Sequence, residues 1–348
     1  MSPDAPHTPA GGSRWNAGRA PVIGGRVMVR RHLRSGETSH LYTDVLGVVT
    51  GLEPLRVRTS AGEVEVPEDD IAVLKVLPPR PVLVREVRAL GHAAALGWPG
   101  TEQEIVEGWL CRAGDSWSYR HGAAVPVEPW SLDADLAVVA EWYAARDLEP
   151  WVELPARLVS AEQLFVGGSR LTPDAAATLV SAGSGELEVR TAELSVLSGR
   201  APAPDDARIE LTEHPSDGFL AAYHGTARFS RGVVEPTLAA HSLAVRFAHL
   251  YIGSELAAFA RGSLSAAPGG SPTLGISCVE TTRSFRRRGL AHVVVCALAE
   301  WAAGEDAEFA HLHVFRNNAA GLALWADLGF AEHHRTMHVP LAPVLGGR

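Results

Sequence analysis

The residues best suited to chemistry are Arg286-Arg287-Arg288-Gly289-Leu290-Ala291, a run that leads straight into a segment where Leu290, Val293, Val294, Ala297, Leu298 and Trp301 recur at helical spacing. A basic turn at the start of a helix is an anion trap. About four backbone N–H groups there lack intrahelical partners and the dipole presents its positive end, so a pyrophosphate satisfies both. Gly289 lets a phosphate approach the backbone with no Cβ in the way. Three histidines near the end, His333, His334 and His338, invite a metal reading. Adjacent strand residues face opposite ways, however, and no Cys or carboxylate set completes a ligand shell, so no metal site is expected.

Elements must hold these groups in place. Residues 274–281, just before the basic turn, read as a strand with Leu274, Ile276 and Cys278 alternating onto one face. Before it come a strand at 209–212, a helix at 217–224 and a hairpin, 244–252 with 256–264, turning at Gly253-Ser254. After it, a strand at 309–315 puts Phe309, His311, His313 and Phe315 on one face, and 332–339 reads as the last strand. The middle of the chain pairs 108–112 with 117–120 across Gly114-Asp115, then starts a helix near Ser131 or Asp133 that runs to about Ala145, followed by a strand at 151–154. The helix end Ala140-Glu141-Trp142 returns as Ala299-Glu300-Trp301, each time ahead of a strand, which marks a candidate internal repeat. The second copy has a Gly and Arg loop before its helix, whereas the first has Pro126-Val127-Glu128-Pro129-Trp130, so only the second is expected to hold a phosphate. Residues 22–76 alternate apolar and polar positions in short runs, read here as a small SH3-like β-barrel, and Pro78-Pro79-Arg80-Pro81 ends it. A Pro- and Ala-rich joint at 198–206 follows the middle segment.

Arg286, Gly289 and Ala291 fit the cofactor motif of the GNAT superfamily: Gln or Arg, two variable residues, Gly, one variable residue, then Gly or Ala. Downstream, Asn318, Leu324, Gly329 and Phe330 fall on the positions of its second signature. Residues 207–339 therefore resemble a GNAT N-acetyltransferase, and barrel-then-transferase order resembles a group of actinobacterial acetyltransferases. The resemblance implies acetyl-CoA as co-substrate and transfer to a primary amine, on a small molecule or a protein, by direct attack on the thioester. It sets the backbone of Val279, Glu280 and Thr281 against the pantetheine arm and the pyrophosphate on the amides of Arg287, Arg288, Gly289, Leu290, Ala291 and His292, beside Arg286. Asn318 and Trp325 would border the cofactor, although Asn318 suits a helix N-cap equally well. Trp325 stands where many members carry an acidic Tyr, and an indole N–H supplies no proton near neutral pH. Tyr251, Cys278 and water are the replacements on offer. His313 takes the place of a carboxylate base found in some subfamilies, and an imidazole accepts an amine proton. Packing on a sheet face explains His311 and His313 too. Glu280, where the acetyl group belongs, is the second candidate base, with an ordinary solvent-facing strand residue as its plain alternative.

Bulk properties narrow the field further. A chain of 348 residues holds about two to three domains. The expected architecture is α/β and multi-domain: a disordered tail at 1–20, an SH3-like barrel at 21–80, a degenerate GNAT-like α/β region at 82–199, and a GNAT α/β domain with a mixed central sheet at 207–341. A net charge of -9 makes nucleic acid a poor partner. No apolar run is long enough to span a membrane, and Cys111, Cys278 and Cys296 form no CxxC pair, so a reduced, cytoplasmic protein is expected. A homo-oligomer is compatible with all of this. The acceptor would be chosen by 217–241 and 265–272, which carry no motif. The alternative to an enzyme is a catalytically weak acyl-CoA-binding sensor or scaffold, in which Trp325 marks a lost acid.

Overall fold

The computed structural model describes residues 20–33, 42–59, 61–78, 80–114, 119–197, 203–222 and 231–346. The expected tail at 1–19, Trp117, the start of the joint (198–202) and part of the first acceptor segment (223–230) lie outside the described residues.

After Pro81 the chain divides into two compact units. In the first, β1 (Arg26–His32), β2 (Tyr42–Leu52), β3 (Leu55–Thr59), β4 (Gly62–Val66) and β5 (Ile71–Val76) form an antiparallel sheet in the order β4-β3-β2-β1-β5. Val27, Val29, Val45, Val49, Val57, Val66 and Leu74 make its core, and every member of that core comes from these strands. The sheet thus curls over its own apolar face.

The second unit opens with α1 (Val84–Leu96), β6 (Glu102–Val106), β7 (Trp109–Ala113), α2 (Tyr119–Gly122), β8 (Val125–Pro126), α3 (Leu136–Ala144) and β9 (Trp151–Pro155). It continues with β10 (Phe165–Val166), β11 (Ser169–Arg170), α4 (Pro173–Ser181), β12 (Leu187–Glu193), α5 (Leu194–Leu197), β13 (Ala207–Thr212), α6 (Asp217–Ala222) and α7 (Arg231–Ala239). Then follow β14 (Ala244–Ile252), β15 (Glu255–Ser265), β16 (Thr273–Thr281), α8 (Leu290–Ala303), β17 (Phe309–Phe315), α9 (Ala319–Asp327) and β18 (Ala331–Pro340). Eight strands share one mixed sheet in the order β13-β14-β15-β16-β17-β12-β18-β9, with β16 and β17 parallel.

The two helix-then-strand copies recur in space. β16 leads through α8 to the parallel β17, and Ala124, next to β8, leads through α3 to β9, bridging Val152 in parallel. Each copy then lends its last strand to the other: β12, which follows the first copy, lies between β17 and β18, and β18, which follows the second, lies against β9. Strands from 82–199 and 207–341 therefore share one sheet. The exchanged strands cover the ladder edges of β17 and β9.

Other expectations change for local reasons. β7 pairs with β6 on one side and β8 on the other, and Glu107 and Gly108, at φ of 49° and 83°, make the left-handed turn that the tight β6–β7 hairpin needs. Residues 119–122 form a helical turn instead. Leu274 and Ile276 pack under α8, but Cys278 joins a different cluster with Phe219 and Phe259. Its φ of 53° and the register shift against β15 mark a β-bulge that breaks the alternation. The helix α8 buries Leu290, Val293, Val294, Val295 and Leu298, each worth about 1.5–3 kcal/mol on burial. Gly262 of β15 admits it closely, since a Cβ there would meet Leu298 at 2.9 Å and Leu274 at 3.0 Å.

Candidate active site

β16 and β17 pair only at Leu274 with Ala310 and Gly275 with His311, then diverge. The divergence opens a cavity of about 250 Å³ between them, walled by Ile276 to Val279 on one side and Leu312 to Phe315 on the other. Past Gly275 the β16–β17 ladder has no further rung among the described residues, so the two strands part around the cavity.

The basic turn lies beyond the end of β16. Arg287 and Gly289 are left-handed, at φ of 64° and 75°, and α8 begins at the next residue. A Cβ on Gly289 would meet no atom within 4 Å, so the glycine is demanded by its φ rather than by crowding. Arg286, Arg287 and Arg288 are exposed, and Arg286 donates to the carbonyl of Thr281 at 3.1 Å. The His292 amide already donates to Gly289 at 3.0 Å, so the amides left for an anion are those ahead of it. His292 Nε2 lies 2.7 Å from Asp327 Oδ2 and ties α8 to the end of α9.

Of the residues singled out from the sequence, Val279, His313, Asn318 and Trp325 line the cavity. Asn318 caps α9, its Oδ1 accepting from the Gly321 amide at 2.9 Å. Trp325 is buried against Phe330. Cys278 lines the cavity, whereas Tyr251 lies on β14 under the Arg208 guanidinium, and neither it nor Glu280 is among the lining residues. Glu280 stands opposite Phe259 in the β15–β16 ladder.

The cavity also holds groups that the sequence pattern did not pick out. Glu153 of β9 and His338 of β18 face each other across the exchanged pair and both line it. Burial works to raise the Glu153 carboxyl, but His313, His338 and the Thr336 hydroxyl outweigh it and hold the group well below the usual carboxylate range. The signal available in the sequence was a single charge inside the apolar phrase Trp151-Val152-Glu153-Leu154-Pro155. Buried Arg112 gives its Nη1 to the carbonyls of Ala95 and Trp98, both at 3.0 Å, and its Nη2 to that of Ala123 at 2.8 Å. His311 is buried with neither ring nitrogen hydrogen-bonded among the described residues, and burial, then His313, His333 and His334, push its pKa down to about 3.

His333 and His334 do not point apart as adjacent strand residues should. A register shift in the β12–β18 ladder makes His333 the extra residue of a bulge, and the two Nδ1 atoms meet at 2.7 Å. Among the described residues no group of three His, Cys, Asp or Glu side chains is arranged to hold a metal.

The first copy is built differently where a phosphate would sit. The Asp135 carboxylate occupies the start of α3 and accepts from the amides of Ala137 at 3.0 Å and of Gly167 and Gly168, both at 2.8 Å. That helix terminus already carries its anion.

A family described as the probable histone acetyltransferase Rv0428c C-terminal matches residues 84–339, and one described as the Rv0428c N-terminal Sm-like domain matches residues 21–75. The probable histone acetyltransferase Rv0428c of Mycobacterium tuberculosis is 31% identical over 328 residues, covering 93% of this chain and 97% of that protein. The chain belongs to the Rv0428c acetyltransferase family. Among solved structures, a GCN5-related N-acetyltransferase from Kribbella flavida aligns at a TM-score of 0.47 and 17% identity, over 72% of this chain and 96% of that one. A tandem GNAT protein from the clavulanic acid biosynthesis pathway aligns at 0.42 and 15%, over 61% and 69%. This acetyltransferase carries the small N-terminal β domain within the residues that the N-terminal model matches and the α/β region with a mixed sheet within those that the C-terminal model matches. No helix of the described residues is long and apolar enough to cross a membrane.

Proposed function

We propose that the protein transfers an acetyl group from acetyl-CoA to a primary amine, with His313 as general base. The observation that carries this reading is the divergence of β16 and β17 beside a helix that starts at a left-handed glycine. The backbone at Val279 to Thr281, where β16 has parted from β17, would run along the pantetheine arm, and the amides of Arg287 to Ala291, flanked by the three arginines, would hold the pyrophosphate. Asn318 and Trp325 would border the cofactor from α9.

Bound acetyl-CoA supplies an acyl group activated as a thioester. His313 lines the cavity and keeps a quarter of its side chain exposed, so it can take the proton of an incoming ammonium group. An N–C bond then forms as the C–S bond breaks; the first proton of the ammonium group stays on His313 until it passes to solvent, and the second, shed by the acylated nitrogen, reaches the departing thiolate through solvent. The cavity is below the roughly 300–1,000 Å³ of drug-sized pockets, which suits the reacting ends of two partners. The acidic chain favours a cationic acceptor. The curated relative is called a histone acetyltransferase, which makes a lysine-bearing peptide the first acceptor to try.

The test is release of free CoA from acetyl-CoA with a panel of small amines and lysine peptides. Turnover should appear with at least one of them and fall about a hundredfold in His313→Gln. Gly289→Asp, which puts a carboxylate where the pyrophosphate belongs, should lose acetyl-CoA binding. Binding without turnover on any amine would favour an acyl-CoA sensor instead.

A further inference from the structure

The first copy contributes more than a strand. Glu153 Oε1 accepts from Thr336 Oγ1 at 2.8 Å and lies 3.8 Å from His313 Nε2, while Oε2 lies 3.8 Å from His338 Nε2. The buried guanidinium of Arg112 adds positive charge on the side of β7. A carboxylate in so apolar a strand is costly to bury unless it is paired, and here the pairing is directed at the cavity rather than away from it.

We infer that Glu153 is a positioning residue for His313. Its Oε1 faces Nε2 of the imidazole, which favours the tautomer with the proton on Nε2 and the Nδ1 lone pair turned to the acceptor, and it stabilises the imidazolium that forms when His313 takes the amine proton. This rests on the reading of His313 as the base. The present 3.8 Å is ion-pair range and longer than a hydrogen bond, so the pair closes as the ring gains its charge. Thr336 fixes the oxygen that faces His313, and low local polarity strengthens the interaction. The proton moves from the ammonium nitrogen to Nδ1 and no further, because a carboxyl held as an anion this firmly is a poor proton acceptor. The half of the chain with no phosphate loop thus completes the site of the half that has one.

Glu153→Gln keeps the shape and removes the charge. Turnover should fall ten- to a hundredfold, while the KM for acetyl-CoA and the thermal stabilisation it gives stay within twofold of the parent. In the protein without acyl donor, the ¹⁵N signals of the His313 ring, assigned by their loss in His313→Gln, should shift from the Nε2–H tautomer toward a mixture. Parental turnover together with an unchanged ring spectrum would overturn the inference. Should Glu153→Gln not fold, Glu153→Asp keeps the charge and withdraws it: a three- to tenfold loss of turnover at constant KM supports the assignment, and parental turnover overturns it. If the parent itself transfers no acetyl group, it is the proposed function that fails, and the ring spectrum still decides whether Glu153 holds His313.

Discussion

Gly275 and His311 form the last cross-strand pair of β16 and β17, and the cavity begins where that pair ends. A Cβ on Gly275 would stand 3.0 Å from Ser263 Oγ and 3.2 Å from His311 Cε1, so the absence of a side chain lets the buried ring lie at the point of divergence. Gly275→Ala should fold with a loss of about 1–3 kcal/mol from overpacking. It should also weaken acetyl-CoA binding, because relief comes by moving His311 into the cleft. Denaturant titration and calorimetry read the two effects separately, and full affinity at reduced stability would place the ring outside the ligand's path.

Acid sensitivity should come from buried imidazoles. Burial pushes the pKa of His311 and His334 down to about 3 and that of His249 to about 4, whereas the unfolded chain binds these protons near pH 6.5. Between those limits the unfolded state holds more protons than the folded one, so stability falls as pH drops from about 6.5 toward 3. Glu153 acts in the same direction at lower pH. Its depressed folded value gives stability that is complete above the unfolded carboxylate range and is lost as pH falls toward the folded value. The melting temperature should fall by about 5 °C or more between pH 7.5 and 5. A flat profile over that interval would show that these rings gain their protons without unfolding.

Asp135 should matter to the fold and not to the cofactor. It caps α3 and holds the Gly167 and Gly168 amides, and those hydrogen bonds outweigh desolvation to keep its pKa below the usual value. Asp135→Ala should cost about 0.5–2 kcal/mol, as the loss of an N-cap does, with acetyl-CoA affinity unchanged. The stabilisation is present above the unfolded pKa and disappears as pH falls through the lowered folded one. Parallel melts at pH 7 and pH 3 should converge for parent and variant; a variant that also loses acetyl-CoA binding would mean the first copy shares in holding the cofactor.

Much of the local structure was legible in the sequence. The hairpin of β14 and β15, the strand-turn-helix of β16 and α8, and the five strands of the N-terminal unit all follow from periodicity and turn residues that act over a few positions. Bulges were not legible, since the shifts that redirect Cys278 and join His333 to His334 depend on which strand lies alongside.

By itself the sequence determined where a helix terminus suited to an anion can form, at Gly289, because the leading amides of a helix and a glycine before them are a property of one short segment. It also marked the repeat of helix and strand. Only the tertiary structure decided what stands around the cavity. Glu153 meets His313, Thr336 and His338 because two copies exchange their final strands, and pairing between residues so distant along the chain is set by which strands come to lie side by side, not by any local pattern.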